Sequence, residues 1–251
     1  MIKKIIINAD DCGKSSHVNS EIEHSIIAGK ITSTTIMANM DDFEGAVRLY
    51  NKYHDRVSFG WHINLDEGSP LTNSQLLLDK GFYVEKEGKI VLNGMTFGRK
   101  YLSSAMRKEI KKELKEQWTK IRDHGVSISH ADSHHYIHTQ PSMIQVLPTL
   151  FKELKIERCR HVANYGVKGI SVFFRDLWAA YYRKKGLRMT DSFCSFKDYY
   201  NNPTLNQGNT IELMIHPGHK DKKYDEEYQL MFQADYYQLW PNVRLITYLD
   251  I

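Results

Sequence analysis

Ile5-Ile6-Ile7 runs straight into Asn8-Ala9-Asp10-Asp11-Cys12-Gly13, and Val18, Ile22, Ile26 and Ile27 then recur at helical spacing as far as Gly29. A short β-branched apolar run reads as a buried strand, a 3.6-residue period as a helix, and a glycine after the last periodic residue as its stop. The chain thus opens with a strand, a polar turn and a helix. The same unit returns. Thr34 to Met37 reads as a strand and Phe43 to Tyr53 as a helix, followed by a strand over Val57 to Leu65 that Gly60 interrupts. Met106, Ile110, Leu114, Trp118 and Ile121 share one helical face, with Ser103 or Ser104 as the cap and Gly125 beyond the end. Further strands are expected at Val126–Ala131, Arg158–Val162, Thr210–Ile215 and Val243–Leu249, and helices at Ser142–Leu154 and Asp225–Tyr237.

Repeated βα units imply an α/β fold with a mostly parallel sheet covered by helices, either open or closed as a barrel. Between Ser69 and Tyr101 the pattern weakens: Gly81, Gly88, Gly94 and Gly98 punctuate it, and Glu87-Gly88 between apolar pieces predicts a small hairpin-like insertion near 70–100. The aromatic and basic stretch from Val172 to Asn206 fits no simple period. With no linker and no internal repeat, residues 1–251 are expected to form a single domain.

Composition narrows the function. The chain has 251 residues, 41% hydrophobic and 25% charged, with 34 Lys+Arg against 30 Asp+Glu for a net charge of +4. These are values of a globular domain. No apolar run reaches membrane-spanning length, and the first apolar run is too short for a signal peptide, so a cytoplasmic protein without membrane partners is expected. Cys12, Cys159 and Cys194 are scattered and odd in number, which fits neither a disulfide framework nor a structural zinc site. The densest basic stretch, Arg107-Lys108-Glu109-Ile110-Lys111-Lys112-Glu113, alternates with acids as a solvated helix face does. No nucleic-acid motif accompanies it, and no nucleic-acid partner is expected.

Four polar clusters fall where strands should end, the place α/β folds put their sites. In Asn8-Ala9-Asp10-Asp11-Cys12-Gly13, adjacent carboxylates repel unless a cation or proton joins them; Asp and Gly also favour plain turns. In Gly60-Trp61-His62-Ile63-Asn64-Leu65, His62 interrupts an apolar strand with Trp61 and Ile63 on the opposite face. His130-Ala131-Asp132-Ser133-His134-His135-Tyr136-Ile137-His138 gathers four of the twelve histidines in nine residues, more than packing explains. In Met214-Ile215-His216-Pro217-Gly218-His219, the Pro-Gly turn holds His216 at a strand end. Together they offer imidazole and carboxylate groups for a mixed metal site, and two histidines with one carboxylate leave positions open for water and substrate.

N-A-D-D-C-G, G-K-I-T-S-T-T at 29–35, G-W-H-I-N-L, H-A-D-S-H-H-Y-I-H and I-H-P-G resemble the YdjC-like carbohydrate deacetylase family, which includes the chitooligosaccharide deacetylases. Order and spacing agree from residue 5 to about residue 220, and the closing Tyr248-Leu249-Asp250-Ile251 also looks like the family; the region 160–210 matches poorly. The resemblance implies a distorted (β/α), TIM-barrel-like fold related to the polysaccharide deacetylases, a divalent metal assigned as magnesium (Mg2+), and a homodimer. By position it implies metal ligands Asp11, His62 and His134, a base at Asp10 and a substrate-side histidine at His216. The family usually has an aromatic residue where this chain has Cys12.

Ligand chemistry pulls the other way on the metal: magnesium prefers oxygen, whereas two imidazoles and a carboxylate suit zinc (Zn2+) or another transition metal. The expected reaction is hydrolytic removal of acetyl groups from N-acetylated sugars, with Asp10 as base and a protonated His216 as acid. Trp61, Tyr136 and the Tyr181–Tyr182 pair are candidate platforms for sugar rings. Two alternatives stand beside this reading: a metal-dependent hydrolase of another amide or ester, and a non-catalytic sugar-binding protein on the same fold. His130 and His138, four residues either side of His134, are the alternative ligands.

Overall fold

The structure, a computed structural model, describes residues 3–94, 101–166, 169–203 and 208–251. Gly98, the end of the 70–100 insertion and Asn206 lie outside the described residues.

The apolar start forms β1 (Lys3–Cys12), longer than its Ile5–Ile7 centre, and Ser15 caps α1 (Ser16–Ile27) by accepting from the Val18 amide. Next come β2 (Ser33–Ile36), α2 (Phe43–Tyr53) and β3 (Ser58–Ile63). A short α3 (Gln75–Asp79) and an antiparallel hairpin of β4 (Tyr83–Lys86) and β5 (Lys89–Leu92) form the insertion, turning at Glu87-Gly88. Ser103 caps α4 (Ser104–Asp123), whose buried face carries Met106, Ile110, Leu114 and Ile121. Glu113 and Gln117 on that face are buried too. Glu113 accepts from the Leu71 and Thr72 amides, and Gln117 Nε2 donates to the Asn64 carbonyl, so this helix pins the loop that follows β3.

The strand expected over Val126–Ala131 is β6 (Ala131–Ser133), displaced towards the C-terminus. Pairing with the neighbouring strand starts at Ser129 and His130, whose backbones bond to Phe59 and Trp61, and continues through Asp132 opposite His62. The helix expected over Ser142–Leu154 is broken: a 3₁₀ turn spans Pro141–Gln145 and α5 spans Leu147–Leu154. Pro148 explains the break, since it is tolerated in a first helical turn and not in an interior. Arg158–Val162 forms no continuous strand, only the bridges Ala131–Cys159 and Arg158–Arg188. The unassigned aromatic stretch folds as α6 (Ile170–Lys184), β7 (Ser192–Ser195) and α7 (Phe196–Asn201). β8 (Thr210–Ile215) has its expected bounds. The Asp225–Tyr237 helix is instead α8 (Lys222–Gln233) and α9 (Tyr236–Leu239), the second capped by Asp235. The last strand stops early as β9 (Val243–Leu245), before a 3₁₀ turn over Tyr248–Asp250.

The sheet order is β6-β3-β2-β1-β8-β7, with β9 pairing the start of β1, and every pair is parallel. The sheet curls into a half-barrel flanked by helices, and the two isolated bridges reach across its gap, giving a distorted (β/α) barrel. The C-terminal ends of β1, β3, β6 and β8 therefore surround one opening, and all four polar clusters stand there.

Candidate metal centre

Adjacent residues on a regular strand point to opposite faces, so one of Asp10 and Asp11 should face away from the opening. A bulge removes the conflict. β1 pairs Ala9 with Thr34 but Cys12 with Ile36, so one extra residue is inserted, and Asp11 takes the left-handed conformation at φ 68°. Such bulges re-aim side chains at sites. Both carboxylates line the opening, while Cys12 turns into the core with its thiol 3.5 Å from Asn19 Oδ1. Burial pushes that thiol up to about 12, leaving it a protonated core group.

The structure brings Asp11, His62 and His134 together, their donor atoms all within 4.8 Å of one another. Asp11 Oδ1 lies 3.0 Å from His62 Nε2 and 2.9 Å from His134 Nδ1. His62 stands opposite Asp132 in the β3–β6 pair, and its Nδ1 lies 2.7 Å from Asp132 Oδ1. Asp132 in turn accepts from the Thr35 hydroxyl. A carboxylate on one ring nitrogen turns the other towards an ion, as metal-binding histidines require. His134 opens a 3₁₀ turn in which His135 and Tyr136 are left-handed, at φ 48° and 56°. Its Nε2 lies 3.2 Å from Glu67 Oε1, and Lys14 closes the same carboxylate at 2.7 Å. Asn64 builds the loop carrying Glu67, accepting from the Asp66 and Glu67 amides.

The donor set fits a cation. Asp11 Oδ2, His62 Nε2, His134 Nε2 and His219 Nε2 are buried and lack an aligned hydrogen-bond partner, although charged atoms surround them. Burial disfavours a carboxylate charge, yet His134 and its neighbouring imidazoles hold Asp11 well below the usual range. Burial likewise opposes protonation of His62, but Asp132 and Asp11 drive its pKa up to about 10. A cation bound here would displace such protons.

His130 and His138 lie elsewhere. His130 stacks on Tyr248 with ring centroids 3.5 Å apart, and burial holds it well below its ordinary pKa. His138 Nδ1 faces Ser133 Oγ, and burial pushes it down to about 3.

Asp10 meets a group the sequence reading passed over. Arg160, fully buried, donates through Nη1 to Asp10 Oδ2 at 2.7 Å and through Nη2 to Oδ1 at 2.6 Å. Burial alone would raise Asp10, but the Arg160 charge outweighs it and the pKa falls to about 2. The available signal was an arginine inside an expected buried strand, 158–162. His216 Nε2 lies 3.9 Å from Asp10 Oδ2. Burial outweighs the Asp10 and Asp11 charges and pushes His216 down to about 4.

Tyr136 lines the opening and is 41% exposed. Trp61 is corrected as a sugar platform. It has no exposed surface, because its side chain points away from His62 into the core, 5.9 Å from the Trp118 ring. Tyr182 is excluded for the same reason, stacked on Trp178 with its hydroxyl donating to the His138 carbonyl. Tyr224, not singled out in the sequence, packs 4.3 Å from the His216 ring and lines the cleft. The cleft at the cluster has a volume of about 130 Å³. A second compartment of about 250 Å³ shares Tyr136, Met214 and Tyr224 with it and extends to Tyr165 and Lys197.

Residues 4–241 match the YdjC-like protein family. The chain belongs to that family. Among curated relatives of this YdjC-like protein, a carbohydrate deacetylase of Geobacillus stearothermophilus is 31% identical over 223 residues, covering 88% of this chain and 82% of that one. A carbohydrate deacetylase of Brevibacillus brevis is 29% identical over 223 residues, 87% of this chain and 83% of that one. Among solved structures, a putative cellobiose-phosphate cleavage protein from Enterococcus faecalis V583 superposes with a TM-score of 0.77 at 18% identity, covering 100% of this chain and 99% of that one. That likeness establishes the fold alone. No helix among the described residues is long and apolar enough to cross a membrane.

Proposed function

We propose that this YdjC-like protein is a metal-dependent carbohydrate deacetylase that hydrolyses the acetamide of N-acetylated sugars, with chitooligosaccharide-type substrates. The observation that carries the reading is the convergence of Asp11, His62 and His134, with unaligned buried donor atoms, beside a second ionised acid at the mouth of the barrel. The relatives named carbohydrate deacetylase supply the substrate class.

A divalent ion held by Asp11, His62 and His134 would polarise the acetamide carbonyl and acidify a water. The nitrogen-rich donor set favours zinc or another transition ion over magnesium. Asp10 is the proton acceptor: Arg160 keeps it ionised, and its Oδ2 faces His216 as well as the guanidinium. Because His216 rests neutral, it gains a proton before it can give one. Asp10, held at low pKa, releases a proton readily. The proton lost by the attacking water thus passes through Asp10 to His216 and on to the departing amine, while the water oxygen joins the acetyl carbon. Tyr136 and Tyr224 flank the cleft as faces for a sugar ring. The adjoining compartment takes the rest of an oligosaccharide.

A homodimer belongs to the same proposal, supported by the outward apolar residues Ile170, Phe173, Phe174 and Leu177 of α6; light scattering in solution tests it. The activity is tested by acetate release from N,N′-diacetylchitobiose with metal content measured on the same sample. Metal-loaded protein that releases no acetate from several acetylated sugars refutes the reading in favour of a sugar-binding protein.

A further inference from the structure

Arg160 serves more than Asp10. A guanidinium is planar, so fixing one edge fixes the other. The Nη1/Nη2 edge grips Asp10. The adjacent edge, which shares Nη2, meets Glu212, with Nε donating to Oε1 at 2.8 Å and Nη2 at the same distance. Phe193 lies 4.7 Å beneath the guanidinium carbon. Asp132 Oδ2, 2.8 Å from Nη2, competes for the same cation. Without a strong acceptor on its second edge, Arg160 can tilt towards Asp132 and let go of Asp10.

Glu212 is held in its turn. It sits in β8 opposite Ile6, fully buried, and its Oε2 accepts from the Tyr248 hydroxyl. Tyr248 comes from the C-terminal turn, which a capping box of Thr247 and Asp250 shapes and which Arg158 ties down through the Ile251 carbonyl. Its ring lies flat on His130, at an interplanar angle of 8°. Neither Glu212 nor Tyr248 lines the cleft, and neither touches the metal cluster. A buried carboxylate kept only for packing is a poor choice, because well-fitted apolar residues stabilise a core as well or better.

We propose that Glu212 and Tyr248 are positioning residues that lock Arg160 in the orientation presenting Asp10 to the cleft, and that this is the task of the C-terminal turn. The proposal rests on the reading of Asp10 as proton acceptor. It gives the closing Tyr248-Leu249-Asp250-Ile251 motif a role in turnover although none of these residues lines the cleft.

The test uses the full-length, metal-loaded protein and N,N′-diacetylchitobiose at matched folded concentration. Glu212→Gln should lower kcat about 10–100-fold, the usual cost of removing a group that orients a site residue. KM should stay within about 2-fold and bound metal per chain should not change. Tyr248→Phe, which keeps the stack on His130 and so keeps the protein folded, should lower kcat in the same pattern but less. Combined with Asp10→Asn, Glu212→Gln should cost nothing further, because residues acting through one another are not additive. A normal kcat in Glu212→Gln overturns the proposal. So does a double variant slowed by the product of the single effects, the mark of a separate structural role. An Asp10→Asn protein with full turnover refutes the underlying base assignment and this proposal with it, whereas a slow Asp10→Asn beside a normal Glu212→Gln refutes only the proposal.

Discussion

His219 Nε2 lies 2.8 Å from Asp11 Oδ2, on the opposite oxygen from the one that faces His62 and His134. A carboxylate that ligates through one oxygen is steadied when a cation or donor holds the other, and removing such a partner typically costs 10–100-fold in metal affinity. His219→Ala should therefore weaken metal binding by about that factor while leaving the protein folded. Saturating metal should restore most of the turnover. Calorimetric titration of metal into the apoprotein measures the shift; unchanged affinity would place His219 outside the centre.

The two neighbouring acids should separate cleanly. Asp10→Asn keeps the Asp11–His62–His134 cluster and should retain metal while losing roughly 10²–10⁴-fold in turnover. Asp11→Asn removes the one carboxylate shared by three imidazoles and should lose the metal itself. Metal content per chain, read by elemental analysis, decides between them. Equal metal loss in both variants would mean the carboxylates share the ion and the base lies elsewhere.

Gly60 is a packing requirement. A Cβ built there would stand 2.4 Å from His130 Cε1 and 2.6 Å from Thr35 Cγ2. Thr35 bonds Asp132 and His130 lies on Tyr248, so neither can yield without disturbing the groups behind the site. Gly60→Ala should destabilise the fold by about 1–3 kcal/mol, the usual cost of overpacking, seen as a lower denaturation midpoint. An unchanged midpoint would show that His130 moves freely.

What could be read from the sequence follows from how local its causes are. α2 and β8 have their expected bounds because their apolar spacing and flanking turns lie within the segments themselves. The four polar clusters gather because strand ends of a parallel sheet share one edge. Arg160, Glu212 and Asp132 were not legible as a set, since their meeting depends on segments 52 and 28 residues apart in the chain and on curvature that no local period encodes. Trp61 was misread as a platform although its alternation with His62 already turned it to the other face. The bulge that lets Asp10 and Asp11 share the cleft is written only in the register of β1 against β2.

His216 offers the sharpest test of the chemistry. An amine leaves only when protonated, whereas an activated phenolate leaves unaided. His216 is neutral at rest, pushed down to about 4 by burial, and a bound dication pushes the same way. On the proposed path it becomes the acid by receiving the proton taken up by Asp10, 3.9 Å away. His216→Ala should therefore slow deacetylation of an N-acetyl sugar by roughly 10²–10⁴-fold and that of an activated aryl acetate far less. Asp10→Asn, which removes the first acceptor, should slow both. If His216 only ends its strand before Pro217-Gly218, the variant will lose stability while both substrates slow by one common factor per folded molecule. Rate ratios for the two substrates at matched folded concentration separate these outcomes, and equal ratios would remove His216 from the proton path.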